Sequence, residues 1–229
     1  MKIKHKNNTL EFYTKLFKKY GNDPKSLGWG SLKGKQAIQF EVLCQIGNIS
    51  NCSVLDVGCG FGDLYDYIKF RGNKVDYFGV DINSEIIAAG KKQHPKIKLE
   101  VRDIENKKFK RKFDWVFFSG ISSAGCTYSY VEKMLKEMFD ICKKGVAINL
   151  VGGVLDYKVK ELFYSEPEKI YQISRKITNR VVIRHDYAPY KFVLYLYKNQ
   201  KISQNKIFEE FLKESKIKPD KEIFNHKFN

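Results

Sequence analysis

The sequence has no apolar run long enough for a membrane span and no apolar segment near its start. No stretch of the 229 residues approaches the roughly 20 apolar residues that a spanning helix requires. The first residues are basic and polar, so we expect no signal peptide. These absences predict a cytoplasmic protein that has no membrane partner.

Cysteine and histidine are too few and too scattered to form a disulfide framework or a metal centre. The five cysteines include no C-x-x-C pair, and an odd number without such a pair indicates reduced thiols in the cytosol. The four histidines show no metal-ligand spacing. The sequence therefore predicts no metal site.

Acidic residues are also in deficit, at 26 against 42 basic residues, which gives a formal net charge of +16. Such a charge suggests a polyanion partner. However, the basic residues are 36 lysines and only 6 arginines, spread along the chain, and arginine is the better ligand for bases and phosphates. A nucleic-acid partner remains an alternative but is not favoured.

The most informative stretch is a glycine-rich turn between a predicted strand and a predicted helix. The apolar run 54–57 predicts a buried strand, and 63–70 predicts the helix. Between them lie Gly58, Gly60 and Gly62. Glycine allows positive φ and close approach of a ligand to the backbone, and the turn directs the first N–H groups of the helix toward the strand end.

The next two predicted strands each end close to an acidic residue. Asp81 ends the strand predicted over 75–81, and Asp103 follows the strand predicted over 97–102. An acidic residue at the end of the second parallel strand is placed to accept hydrogen bonds from a ribose diol. This recurrence of carboxylates is more specific than the glycines alone.

The chain resembles a known family at seven positions, which are Asp56, Gly58, Gly60, Gly62, Asp81, Asp103 and Ile104. Over about residues 37–198 it is similar to the class I, Rossmann-like S-adenosylmethionine-dependent methyltransferases. The resemblance implies S-adenosyl-L-methionine as the cofactor. It also implies that the activity is transfer of a methyl group to an acceptor.

The same resemblance implies a role for each part of the site. The glycine turn passes the amino-acid end of the cofactor, Asp81 binds the ribose hydroxyls, and Asp103 with Ile104 flanks the adenine. Ile82 supplies an apolar wall to the base, and Cys59 within the turn is interpreted as packing rather than as a nucleophile. The predicted cofactor-binding residues are Asp56, Gly58, Cys59, Gly60, Gly62, Asp81, Ile82, Asp103, Ile104 and Ser119.

A nucleotide-dependent dehydrogenase is the nearest alternative for such a turn. Its fingerprint is G-x-G-x-x-G, which seats a pyrophosphate on the helix start. Here the glycines follow a different spacing, and Asp63 opens the helix with a negative charge that would repel a diphosphate. The methyltransferase interpretation is therefore preferred.

We expect an α/β fold with a seven-stranded, mostly parallel sheet, an antiparallel last strand and helices on both faces. Residues 1–229 are predicted to form one domain, with an N-terminal helical cap at 1–50 and a Rossmann-like core at 51–198. The core contains an insert at 154–178, a candidate lid, and residues 199–229 form a C-terminal helix and tail. The sequence also predicts a helix over about 128–144. Its last turn is basic, as the helix dipole favours, and Gly145 is predicted to end it.

The loop at 119–125 follows the fourth predicted strand and is informative for what it lacks. It has no Asn/Asp-Pro-Pro-aromatic run and no Pro-Cys pair. In the family these mark enzymes that methylate base amino groups and cytosine carbon, so base methylation is not favoured.

Candidate catalytic and acceptor-binding residues come from the ligand edge of the predicted sheet. His185 follows the sixth strand and titrates near neutrality, so it is the predicted general base, with Asp186 to orient it or to bind an acceptor amine. Alternatively, both residues only fasten the hairpin turn, and Trp29 is either an acceptor wall or a core anchor. The predicted acceptor-binding residues are Trp29, Tyr128, Tyr187 and Tyr190.

Three functions remain open from the sequence. The favoured one is O- or N-methylation of a small-molecule acceptor. The alternatives are methylation of RNA or protein through the basic surface, and binding of the cofactor without turnover. The sequence does not define the oligomeric state.

Overall fold

The structure is a computed structural model that describes residues 2–30, 34–106, 109–120, 125–152, 158, 162–201 and 207–215. It forms two compact units, Met1–Lys198 and Asn199–Asn229. Among the residues described, no helix combines the length and apolarity needed to cross a membrane.

The first unit is built on a seven-stranded sheet with the order β3-β2-β1-β4-β5-β7-β6. The five strands β1 to β5 are parallel, and β7 runs antiparallel between β5 and β6. The predicted mostly parallel sheet with an antiparallel last strand is confirmed. The strands are β1 Cys52–Val57, β2 Val75–Asp81, β3 Lys98–Val101, β4 Phe113–Ser119, β5 Cys142–Val151, β6 Val181–Arg184 and β7 Lys191–Tyr197.

Helices cover both faces of the sheet, which is why the central strands are apolar along their whole length. On one face, α5 and α6 pack against residues such as Leu55 and Val116. On the other face, α2, α3 and α4 pack against Val54 and Phe117. The helices of this unit are α1 Lys2–Tyr20, α2 Lys35–Cys44, α3 Asp63–Phe70, α4 Ser84–Gln93, α5 Tyr128–Ile141 and α6 Pro167–Arg175.

The predicted end of α5 is wrong. The helix ends at Ile141, no basic residue lies in its last turn, and β5 begins at the next residue. Gly145 lies inside β5, where a Cβ would approach the carbonyl oxygen of Leu196 on β7 to 2.6 Å. This glycine therefore serves close strand packing rather than helix termination.

The connection after β5 contains the predicted insert 154–178, and much of its first half lies outside the described residues. The sequence predicts two helical pieces in this insert, and the first falls mostly outside the described residues. The second piece is confirmed as α6, which begins at Pro167 as expected of a proline at the first helical position. Before it, Ser165 donates from its backbone N–H to the carbonyl of Val151, which closes the base of the insert.

The second unit contains one described helix, α7 Glu209–Ser215. It is shorter than the helix expected over 203–215, of which residues 203–206 lie outside the described residues.

Candidate functional site

A cavity lies at the carboxyl ends of β1, β2 and β4, where the strand order changes direction beside β1. Ligands of open α/β sheets bind at this kind of position. Ten predicted residues line it, namely Trp29, Asp56, Gly58, Cys59, Gly60, Asp81, Ile82, Asp103, Ile104 and Ser119.

The glycine turn forms the floor of the cavity, and its backbone requires glycine. Gly58 and Gly60 have φ values of 66° and 57°, in the left-handed region that side chains disfavour. A Cβ on Gly60 would come within 2.7 Å of a methyl group of Leu27, and one on Gly58 within 3.0 Å of the Phe118 ring. The turn therefore leaves space at the strand end that any other residue would fill.

Asp81 is held in place by backbone donors on two sides. One carboxylate oxygen accepts from the N–H of Gly60 at 3.1 Å, and the other accepts from the N–H of Asn83 at 2.9 Å. The N–H of Ile82 also donates to this carboxylate. An ionised carboxylate offers about four acceptor sites, so these three donors do not fill it. Burial raises the pKa of this carboxyl, and the backbone hydrogen bonds oppose the rise.

Asp56 and Ser119 each place a buried oxygen at the cavity that has no hydrogen-bond partner among the described residues. Asp56 is 2% exposed, and one of its oxygens accepts from the Tyr77 hydroxyl at 2.6 Å, while its Oδ1 is the oxygen left unpaired by the described part of the chain. The Ser119 hydroxyl is likewise unpaired within the described ranges. Burial raises the pKa of Asp56 to about 7. Unpaired buried oxygens are costly, so their presence fits a site that a polar ligand completes.

Asp103 is already bonded within the protein. Its carboxylate accepts from the Lys6 ammonium at 2.5 Å and from the Asn106 side chain at 2.8 Å, and its other oxygen accepts from the N–H of Glu105. Lys6 also pairs with Glu105 at 2.7 Å. These contacts tie the start of α1 to the loop that follows β3.

Helix α1 covers the cavity, and most of its contribution was not predicted. It begins at Lys2 rather than near residue 8, and four of its residues line the cavity. Of these, Leu10 and Tyr13 belong to the apolar face that periodicity predicts, whereas nothing in the sequence marks Lys6 or Thr9 as site residues. The helix is held by a 3.0 Å hydrogen bond from the Asn83 side chain to the Thr14 hydroxyl.

Six predicted site residues do not line the cavity. Gly62 caps the start of α3, one of the other five begins α5, and the remaining four lie in the connection between β6 and β7. They are Gly62, Tyr128, His185, Asp186, Tyr187 and Tyr190.

His185 and Asp186 are exposed and do not pair with each other in the described contacts. His185 lies 3.3 Å from the carbonyl of Pro189, and its ring packs near Phe192, which belongs to the face covered by α5 and α6. Asp186 forms an ion pair with Arg184 at 3.0 Å. The catalytic roles of both residues stay predictions, and this geometry does not bring them to the cavity.

The three tyrosines outside the cavity have separate environments. Tyr128 accepts a hydrogen bond from the N–H of Glu166 and so joins α5 to the start of α6. Tyr187 donates to the side-chain oxygen of Asn149 at 3.3 Å, and Tyr190 is exposed. Their predicted contact with an acceptor stays a prediction.

Asn149 is the centre of a buried polar cluster that sequence patterns did not reveal. It is 4% exposed, and its amide donates to the carbonyl of Gln39 on α2 at 3.1 Å. In register it neighbours Ser119, the cavity residue at the end of β4. The polar edge of the site therefore continues from β4 onto β5. Among the described residues, no group of three or more His, Cys, Asp or Glu side chains could hold a metal ion.

Comparison with known proteins agrees with this architecture. Residues 54–145 match the model of a family described as "Methyltransferase domain". The match runs from the start of the glycine-turn strand to the middle of β5. It covers the three predicted carboxylates Asp56, Asp81 and Asp103.

Two curated proteins are similar in sequence. The first, "Putative methyltransferase Rv1506c" of Mycobacterium tuberculosis, is 27% identical over 155 residues, which cover 62% of this chain and 90% of that protein. The second, "Putative methyltransferase 235L" of Invertebrate iridescent virus 6, is 31% identical over 98 residues. That match covers 41% of this chain and only 37% of the viral protein.

A solved structure shows the same fold. The magnesium protoporphyrin IX methyltransferase of Synechocystis PCC 6803, crystallised with bound SAH, superposes with a TM-score of 0.57 at 14% identity. The superposition covers 82% of this chain and 100% of that one. The strand order and the superposition show that this chain has the fold of that methyltransferase, and residues 54–145, which include the glycine turn, carry the match to the methyltransferase-domain family.

Proposed function

We propose that this protein transfers a methyl group from S-adenosylmethionine to an oxygen or nitrogen atom of a small-molecule acceptor. The observation that carries the proposal is the position of Asp81. Its carboxylate is fixed by the N–H groups of Gly60 and Asn83 and lines the cavity above a turn that only glycine permits.

The residues present fit this cofactor. The free acceptor sites of Asp81 would bind the ribose diol, and the unpaired Oδ1 of Asp56 would accept from the ammonium of the methionine end. Ile82 and Ile104 supply apolar walls for the adenine. When bound, the cofactor supplies an electrophilic methyl group. The protein has to hold the acceptor nearby and exclude water.

The shape and charge of the cavity support a small acceptor over a nucleic acid. Helix α1 covers the cavity, so a polymer has less access than a small molecule. Among the described residues, Lys6 and Arg102 are the only lysine or arginine side chains that line it. Both form ion pairs with the protein's own carboxylates, Lys6 with Asp103 and Arg102 with Glu100. A polyanion would have to displace these pairs.

The proposal is tested first by calorimetric titration with S-adenosylmethionine. We expect the wild-type protein to bind, and Asp81→Ala to weaken binding by roughly 100-fold or more, because two charge-assisted hydrogen bonds are lost. The matched control is Asp76→Ala on the same strand, whose exposed side chain pairs only with Arg111 at 3.2 Å. Absence of binding in the wild type, or equal binding in both variants, would refute the site.

The acceptor class is tested by turnover. Formation of S-adenosylhomocysteine is measured with a pool of small metabolites and, separately, with RNA. We expect turnover with the metabolite pool. Turnover with RNA alone, together with a steep decrease in RNA binding as salt rises, would reject the small-molecule proposal.

A further inference from the structure

Lys191 lies beside the cavity wall, at the edge where an acceptor would enter. It is the first residue of β7 and pairs in register with Val151, the last residue of β5. Its ammonium lies 5.0 Å from the centre of the Trp29 ring, and Trp29 lines the cavity. The ring also packs on Phe40 of α2, with centroids 6.1 Å apart. Trp29 thus contacts both the cavity and this lysine.

The charge of Lys191 has no counterion in the part of the chain that the structure describes. The side chain is partly buried, and no carboxylate of the described residues pairs with it. Burial, together with the nearby Lys35 ammonium, lowers the pKa of Lys191 to about 8. A desolvated cation next to a second cation is unfavourable. A bound anion would relieve this cost.

A row of polar side chains leads from the cofactor half of the cavity to this lysine. Asp56, Ser119, Asn149 and Lys191 lie at or near the ligand-edge ends of the adjacent strands β1, β4, β5 and β7. Each lies two residues along its strand from one of Val54, Phe117, Ala147 and Val193, which pack on the face that α2 covers, so all four project toward that face. With adjacent strands about 4.8 Å apart, Ser119 and Lys191 are separated by two strand spacings, on the order of 10 Å.

We propose that Lys191, stacked on Trp29 and accompanied by Lys35, binds a carboxylate or phosphate group of the acceptor. The acceptor is then an anionic small molecule that extends along the polar row, with its charged group at the end distant from Asp56. This inference rests on the proposed methyltransferase function and specifies its substrate class.

The first test uses Trp29 as a reporter, with inorganic phosphate and acetate as probes. Tryptophan fluorescence is titrated in the presence of S-adenosylhomocysteine, and Trp29→Phe identifies the part of the signal that arises from Trp29 rather than Trp115. We expect saturation with phosphate, acetate or both in the wild type. Glucose, a neutral probe, should give no saturable change.

Variants of Lys191 provide the decisive comparison. Lys191→Met should weaken anion binding by about tenfold or more, because a charge-assisted contact is removed, and Lys191→Arg should restore it. The matched control is Lys198→Met, which removes the ammonium over Phe139 just beyond the opposite end of β7. Equal titration of the wild type and Lys191→Met, or no saturation in the wild type by either anion, would overturn the proposal.

Two further measurements separate this inference from the proposed function. Calorimetry with S-adenosylhomocysteine should give unchanged affinity in Lys191→Met. Loss of cofactor binding in the wild type would refute the proposed function, whereas intact cofactor binding without anion binding would refute only the role of Lys191. With acceptors supplied as acid and amide pairs, we expect Lys191→Met to raise KM for the acid and to leave KM for the amide unchanged. Equal effects on both would contradict an anionic acceptor.

Discussion

The two halves of the ligand edge are built in different ways. In the half formed by β1, β2 and β3, the carboxylate of Asp81 is fixed by backbone donors close to it in sequence, while Asp103 also pairs with Lys6 of α1. Asp81 is held by the N–H groups of Gly60 and Asn83, and the Asn83 side chain in turn caps α4 by accepting from Glu85 and Ile86. These contacts lie within a segment of about thirty residues.

The half formed by β4, β5 and β7 depends on contacts between distant segments. Asn149 on β5 is fixed by the carbonyl of Gln39, which is 110 residues away in sequence, and by the Tyr187 hydroxyl. Lys191 meets Trp29 across most of the chain. In this half, the position of each polar group is determined only after α2 has packed on the sheet.

The difference fits the two ligands that the proposed function requires. A constant cofactor can be bound by one compact motif, whose geometry is set by glycine φ values and by backbone donors. A variable acceptor can be bound by side chains from several elements, which can change without disturbing that motif. Substitutions in the first half should therefore alter cofactor affinity, and those in the second half should alter packing and acceptor use.

The largest effect is expected for Asp56→Asn. This variant tests whether a group that binds the cofactor, in the half formed by β1, β2 and β3, lowers the stability of the folded protein. The carboxyl titrates near 3.9 when unfolded and at about 7 when folded. Between these values the native state holds a proton that the unfolded state has lost, so this group makes stability fall as pH rises from about 4 to 7. At pH 8 the raised pKa of Asp56 destabilises the native state by about 4 kcal/mol. Asp56→Asn removes this penalty, but the unpaired amide group of the new side chain offsets part of the gain.

We expect Asp56→Asn to raise the free energy of unfolding at pH 8 by about 1 to 3 kcal/mol, because the buried charge is removed. It should also flatten the pH dependence and weaken S-adenosylmethionine binding. Chemical denaturation at several pH values and calorimetry measure these effects. Asp114→Asn is the control, since its carboxylate accepts from Ser53 and its pKa is lowered. A variant that is less stable than the wild type at pH 8 would contradict this account of Asp56.

The same division explains what the sequence could predict. The bounds of α3 and β2 agree closely with prediction, because the glycine turn and the Asn83 cap lie beside them in the sequence. Ten residues of the predicted site line the cavity, and those of the glycine turn and the end of β2 do so for the same reason. The prediction for the end of α5 is wrong because Gly145 is required by the close approach of Leu196, which lies on a strand about fifty residues later in the sequence. No local pattern contains that information.

Polar residues of the half formed by β4, β5 and β7 were not predicted, because their contacts also join segments that are distant in sequence. Asn149 lies within an apolar run that predicts only a buried strand, and its partner Gln39 lies on a helix near the other end of the chain. Lys191 was one lysine among 36. Only the packing of α2 and Trp29 onto the edge distinguishes these side chains from their neighbours.

An intermediate effect is expected for Asn149→Leu, which tests the half formed by β4, β5 and β7. Loss of the amide leaves the Gln39 carbonyl and the Tyr187 hydroxyl without their partner, so we expect a loss of about 2 to 3 kcal/mol in the free energy of unfolding. Affinity for S-adenosylmethionine should change little. Tyr187→Phe should cost about 1 kcal/mol, and Tyr190→Phe on the exposed turn should be silent. If Asn149→Leu abolished cofactor binding without loss of stability, the division between the two halves would be wrong.

The smallest effect is expected for His185→Ala, which tests the predicted general base against the observed geometry. The side chain is exposed, lies near the carbonyl of Pro189 and the ring of Phe192, and does not line the cavity. Truncation should therefore change the free energy of unfolding by less than about 0.5 kcal/mol and leave cofactor binding unchanged. Asp186→Ala, which releases Arg184 from an exposed ion pair, serves as the neighbouring control.

Turnover with the true acceptor is the deciding measurement, because a base contributes roughly 100-fold or more to the rate. A loss of that size in kcat with unchanged stability would show that the β6–β7 hairpin moves toward the cavity during the reaction and would restore His185 as the base.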